Sequence, residues 1–130
     1  MIQQNKVIVL DIDGTICEEK QPDVEYSSLH PKKEMVEKLR EYKTNGFHII
    51  FHTSRNMRSF GGNLGKINTV TAPLLLDWLK QHEIPYDEIY FAKPWCGFDG
   101  FYVDDRSVRP SEFLSKSFEE IQLLLDDEYK

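Results

Sequence analysis

Asp11 and Asp13 stand one residue apart behind the apolar run Val7-Ile8-Val9-Leu10, and a Gly14-Thr15 turn follows them. The run, entered from Lys6, reads as a strand buried on both faces. Asp is a poor strand residue, so both carboxylates belong where the strand ends and the backbone opens. In an open α/β sheet, that end of a strand is where ligands bind. A tight pair of acids behind a buried run is rare without a chemical task; an ordinary acidic turn is the plain alternative. A calcium loop is excluded, because it needs Gly at its sixth position and Glu at its twelfth. Counted from Asp11, those positions hold Ile16 and Pro22.

Further strand ends deliver more polar groups. Thr53 directly follows Phe47-His48-Ile49-Ile50-Phe51-His52, with Ser54 and Arg55 behind it. Lys93 follows the strand Ile89-Tyr90-Phe91, and Pro94 holds its backbone extended. Phe101-Tyr102-Val103 reads as a fourth strand delivering Asp104-Asp105-Arg106, where two adjacent carboxylates repel unless a cation lies nearby. The stretch from Asn56 to Lys66 is glycine-rich and basic, but a phosphate-binding P-loop fails there: Phe60 and Ile67 stand where that motif needs Gly and Ser or Thr. It reads as a loop beside the site, with Arg55, Arg58 and Lys66 open to an anionic substrate.

The elements that must position these groups follow from periodicity. Ile16-Cys17 and Val24-Glu25-Tyr26 could pair as a small flap hairpin around Pro22-Asp23. Pro31 opens a helix with Met35, Val36, Leu39 and Tyr42 on one face and Asn45-Gly46 as its stop. Strand, helix, strand at this spacing implies a parallel sheet with a right-handed crossover. A second helix buries Leu75, Trp78 and Leu79; it starts either at Thr71, with Pro73 in the first turn, or near Lys66, tolerating Pro73. Pro110 to Asp127 is helical, with Phe113, Phe118, Ile121, Leu124 and Leu125 apolar, and is expected to pack over the sheet.

A chain of 130 residues suits one domain, 1–130, with a real core. With 40% hydrophobic and 29% charged residues it is a globular protein, neither disordered nor fibrous. Its apolar runs are too short for a membrane span and its N-terminus lacks a signal-peptide pattern, so a cytoplasmic location is expected. Cys17 and Cys96 have neither CxxC nor zinc spacing and read as reduced thiols. His30, His48, His52 and His82 are scattered and read as structural. A formal net charge of −6 argues against extended nucleic acid and suits a small phosphorylated metabolite.

Asp11-Ile12-Asp13-Gly14-Thr15 resembles the first signature of the haloacid dehalogenase superfamily of phosphatases, and Thr53, Lys93 and Asp104-Asp105 resemble its later motifs in order. The resemblance covers nearly the whole chain. It implies an α/β, Rossmann-like three-layer sandwich with a parallel central sheet. By it, Asp11 is the nucleophile, Asp13 the general acid and base, and Thr53 and Lys93 hold the phosphoryl oxygens. It also implies a Mg2+ ion bound by an Asp11 side-chain oxygen, the Asp13 backbone carbonyl and Asp104, with Asp105 reaching the metal through water or orienting Lys93.

Roughly 40 residues separate Asp13 from Thr53, and the same number separate Thr53 from Lys93, so neither interval can hold a cap domain. A capless site is open and gains closure from a partner subunit or a large substrate, which leaves a homo-oligomer possible. The runs Thr53-Ser54-Arg55-Asn56-Met57-Arg58, Gly62 to Asn68 and Lys93-Pro94-Trp95-Cys96-Gly97 are similar to small phosphatases assigned to capsular polysaccharide biosynthesis. That suggests a sugar phosphate, with Ser54, Arg55, Arg58, Lys66 and Trp95 as substrate-binding candidates. Val103-Asp104-Asp105-Arg106 also resembles the phosphatase part of polynucleotide kinases, so a nucleic-acid 3′-phosphatase is the alternative enzyme. A binding protein that keeps the fold without turnover is the alternative outside enzymes.

Overall fold

The computed structural model describes residues 5–130, which fall into two compact units, one running to Trp95 and the other Cys96–Lys130. The first unit is an α/β arrangement of a three-stranded parallel sheet and helices, a Rossmann-like layout. Its strands are β1 (Val7–Leu10), β2 (His48–His52) and β3 (Glu88–Tyr90), in the order β1-β2-β3. Val7 pairs with His48 and Leu10 with Phe51; Ile50 pairs with Glu88 and His52 with Tyr90. β2 is central and buries Ile49, Ile50 and Phe51. β1 pairs on one side, and Val9 is 60% exposed, so the burial expected on both faces of this strand is not found.

α1 (Lys33–Thr44) buries Met35, Val36, Leu39 and Tyr42, the face that the spacing predicts. It starts two residues after Pro31, which instead forms an antiparallel bridge with Cys17. Asn45 ends it and Gly46 takes a left-handed φ of 88°. There the Phe47 N–H reaches back to the Tyr42 carbonyl and the Gly46 N–H to that of Lys43, satisfying the last turn. The predicted flap hairpin is not present. The Ile16 carbonyl accepts from the Lys32 N–H at 2.7 Å, and Ile16 and Cys17 are fully buried, so neither is free to pair with residues 24–26. Tyr26–Ser28 forms a short 3-10 turn instead.

The helix start left open by the sequence is resolved by a change of pitch. Helical structure begins with α2 (Leu64–Lys66), capped by Asn63, whose side-chain oxygen accepts from the Lys66 N–H. It continues as a π-turn, Ile67–Thr71, and then as α3 (Ala72–Gln81). The Ala72 N–H bonds the Ile67 carbonyl, five residues back. Pro73 has no N–H to offer and would crowd a regular turn; the wider π-turn directly before it accommodates the ring. α3 buries Leu75, Trp78 and Leu79, and the Trp78 indole donates to the Leu29 carbonyl at 2.9 Å.

In the second unit, Phe101-Tyr102-Val103 is not a strand. Phe101 is 78% exposed and Val103 87% exposed, so the burial that favours a strand is missing. Just before it the backbone turns tightly: a Cβ on Gly100 would lie 2.1 Å from the Cys96 carbonyl oxygen. The single helix expected from Pro110 to Asp127 is two, α4 (Pro110–Ser115) and α5 (Phe118–Asp127). Lys116 is extended, and Ser117 caps α5 reciprocally with Glu120. Phe113, Ile121 and Leu125 are the buried residues of these helices, while Phe118 is exposed. Among the described residues, no helix is long and apolar enough to cross a membrane.

Candidate active site

Asp11 leaves the end of β1 with its side chain about one-third exposed, and the Lys93 ammonium lies 3.7 Å from its Oδ1. The Thr15 hydroxyl, one turn on, donates to Oδ2 at 3.4 Å. Burial pushes the Asp11 carboxyl above its ordinary value, and Lys93 pulls against that shift. The turn that follows is built on Ile12, fully buried, whose carbonyl accepts from the N–H groups of Thr15 and Ile16. Gly14, at φ 86°, lets the chain reverse there.

Thr53 directly follows β2 and is 1% exposed. Its N–H donates to the Tyr90 carbonyl at 2.9 Å, and its own carbonyl accepts from the Lys93 N–H at 3.0 Å. The ladder between β2 and β3 therefore runs on past both strands, and it is what sets Lys93 beside Thr53. Its hydroxyl oxygen accepts from the Arg55 N–H at 3.1 Å. His52, the residue before it, has its pKa lowered by burial and by Lys93.

Asp13 is gripped by Arg55. The Arg55 Nε donates to Oδ2 at 3.1 Å and Nη2 to Oδ1 at 2.8 Å, a two-pronged ion pair. The Cys17 thiol lies 3.8 Å from Oδ1, and burial with the Asp13 charge pushes that thiol up to about 12, so it stays protonated. The Tyr26 ring packs 4.1 Å from the Arg55 guanidinium carbon. Arg55 was expected among the cations open to substrate; the structure buries it on Asp13. Of the others, Ser54 is half-buried, while Arg58 and Lys66 are exposed. Arg58 lies 5.6 Å from the ring of Trp95, and Lys66 lies 6.0 Å from that of Phe60. The first unit thus brings Asp11, Asp13, Thr53, Arg55 and Lys93 to one end of its sheet.

The sequence reading missed Tyr26 and Cys17 as neighbours of Asp13. Both lie in the stretch read as a hairpin, and no spacing rule signals a 3-10 turn that folds onto a buried arginine. Thr15 was legible only as part of the turn.

Asp104 and Asp105 belong to the second unit. The Asp104 Oδ1 accepts from the Arg106 N–H at 2.7 Å, closing a small turn. The Tyr129 hydroxyl donates to Asp105 Oδ2 and holds that carboxyl below its usual range. Among the described residues, no three His, Cys, Asp or Glu side chains lie together as a ready metal cage. The donors at the end of β1 are all oxygen and the Asp11 carboxylate is partly shielded, a set that suits a hard cation keeping water and phosphate as its other ligands.

No family model and no curated protein matches the chain. A solved structure does: a Vibrio cholerae protein determined as an MCSG target is 50% identical, with a TM-score of 0.89 over 95% of this chain and 98% of that one. At that identity and coverage, this chain belongs to the same protein family as the Vibrio cholerae protein.

Proposed function

We propose that the chain is a phosphomonoester hydrolase of the haloacid dehalogenase type, working through an aspartyl-phosphate. The observation that carries this reading is the Lys93 ammonium 3.7 Å from the Asp11 carboxylate, with the buried Thr53 hydrogen-bonded to the same lysine's backbone. A carboxylate nucleophile has to approach an anionic phosphate, and a fixed cation beside it offsets the repulsion.

An Asp11 oxygen attacks phosphorus as the bond to the leaving oxygen breaks, and Asp13 gives that oxygen its proton. Asp13, now a carboxylate, takes a proton from water. The resulting hydroxide attacks phosphorus, the bond to Asp11 breaks, and phosphate leaves with both aspartates restored. Thr53 and Lys93 bind the phosphoryl oxygens throughout. Asp11 and the Asp13 carbonyl would hold Mg2+, which would supply further neutralisation of phosphate charge. The substrate class we favour is a sugar phosphate on a route to polysaccharide or activated sugar; the net charge of −6 supports a small anion over a polynucleotide.

Turnover of p-nitrophenyl phosphate with and without Mg2+ tests the reaction class; no turnover under either condition removes it. Comparison of kcat/KM on sugar phosphates and on a 3′-phosphorylated oligonucleotide tests the substrate class. A preference beyond about tenfold for the oligonucleotide would overturn the sugar phosphate.

A further inference from the structure

Among the described residues, Arg55 is the one charged residue that is buried. Its guanidinium meets both oxygens of Asp13, and with its side chain 3% exposed it has almost no surface left for a substrate. A fork of two hydrogen bonds fixes the plane of a carboxylate, as a single contact cannot. The guanidinium is itself held: Tyr26, on the 3-10 turn, packs 4.1 Å from it, and Arg55's own N–H is tied to Thr53 Oγ1.

We infer that Arg55 is a positioning residue for Asp13, and that Tyr26 fixes Arg55 in turn, so that the segment between β1 and α1 sets the orientation of the proton-transfer group. This rests on the phosphatase reading, in which Asp13 exchanges the proton. Each carboxylate oxygen has two lone pairs; the fork engages one on each, the Cys17 thiol lies against Oδ1, and the second pair of Oδ2 remains for a proton. The role differs from substrate binding in a measurable way. A residue that grips substrate changes KM, whereas one that aims the proton donor changes kcat, since misplacement by about 1 Å costs on the order of 100-fold.

The experiment measures kcat and KM on p-nitrophenyl phosphate and on a sugar phosphate for Asp13→Asn, Arg55→Lys, Arg55→Gln and Tyr26→Ser, and for the double variant Asp13→Asn/Arg55→Lys. Arg55→Lys keeps the charge and loses the fork. It is expected to lower kcat by about 30- to 100-fold with KM within about twofold. The double variant should be no worse than Asp13→Asn alone, because the two residues act as one unit. Tyr26→Ser changes a half-buried turn residue and keeps the fold even where Arg55→Gln does not; its kcat should fall severalfold at unchanged KM. A rise in KM alone for Arg55→Lys, multiplicative losses in the double variant, or an unchanged kcat in Tyr26→Ser each overturns the inference. Full activity in Asp13→Asn instead removes the proton-transfer role of Asp13, and with it the phosphatase reading from which the inference starts.

Discussion

Lys93 donates its backbone N–H to the Thr53 carbonyl, whereas a regular parallel ladder continuing from the Thr53–Tyr90 bond would use the N–H of residue 92. One residue is therefore looped out. It is Ala92, whose φ of 65° is left-handed. Ala92→Gly relieves that conformation and should leave stability unchanged or slightly raised. Ala92→Val adds a branched side chain where φ is positive, and should cost about 1–2 kcal/mol in urea unfolding. By displacing Lys93 it should also raise KM for any phosphomonoester. Equal behaviour of the two variants would mean that the bulge does not place Lys93.

Asp11→Asn should lower kcat by on the order of 1,000-fold or more, since an amide cannot take the nucleophile's role. The same change should raise Tm at neutral pH. Burial holds the Asp11 carboxyl above its ordinary 3.8, so the folded state binds this proton more tightly than the unfolded chain. Stability contributed by the group is then present at low pH and lost as pH rises through the folded pKa. The Tm gain of the variant should accordingly shrink as pH falls through the folded pKa and be gone below 3.8. A folded variant with near-normal turnover would refute the nucleophile.

Exhaustive dialysis against EDTA should abolish turnover, and Mg2+ should restore it. Full activity after chelation would exclude a mechanism in which a cation neutralises phosphate beside Asp11.

Asp87, at the far end of the sheet, gives a stability prediction independent of chemistry. Partial burial opposes its charge, but the Lys43 ammonium at 2.6 Å and the Ile49 N–H at 2.8 Å from Oδ2 win, and the carboxyl titrates below 3.8. A depressed carboxyl contributes stability above its unfolded pKa and loses it as pH falls through the folded one. Asp87→Asn should cost about 1–2 kcal/mol at pH 7 in urea denaturation, and the difference should close below pH 3.8. A cost that persists there would belong to packing.

Arg58 is exposed beside Trp95, and its charge also acts on Tyr26. Arg58→Ala should raise KM for the native substrate more than it lowers kcat, and should leave p-nitrophenyl phosphate nearly unaffected. Equal loss on both substrates would place Arg58 in the chemistry.

What the sequence shows and what it hides divide along physical lines. The faces of α1 and α3 and the three parallel strands follow from apolar periodicity, because Leu39 or Phe51 has nowhere favourable to sit but the core. Asp11, Thr53 and Lys93 were legible as strand-end residues. Phe101-Tyr102-Val103 has the composition of a strand, but composition supplies no ladder. Arg55 looked like its exposed neighbours Arg58 and Lys66, since nothing local tells a buried arginine from a solvated one; its partner is 42 residues away. The break between α4 and α5 was within reach, for Ser117 and Glu120 form a capping box that apolar spacing alone overrides.

The π-turn at Ile67–Thr71 makes this stretch sensitive to length rather than to identity. Thr71 closes the turn, and its hydroxyl donates to the Asn56 side-chain oxygen at 2.7 Å, one residue beyond Arg55. The wide turn takes up one residue more than an ordinary turn, but past it the pitch is regular, and removing one residue between Thr71 and Leu75 would swing the helix on one side of the cut by about 100° relative to the other. Either Thr71 would leave Asn56, or Leu75 and Trp78 would leave the core. The span from Thr71 to Leu75 is thus counted residue by residue, so a deletion there acts on the site from a distance, while a substitution at the exposed Asn68 leaves the count intact.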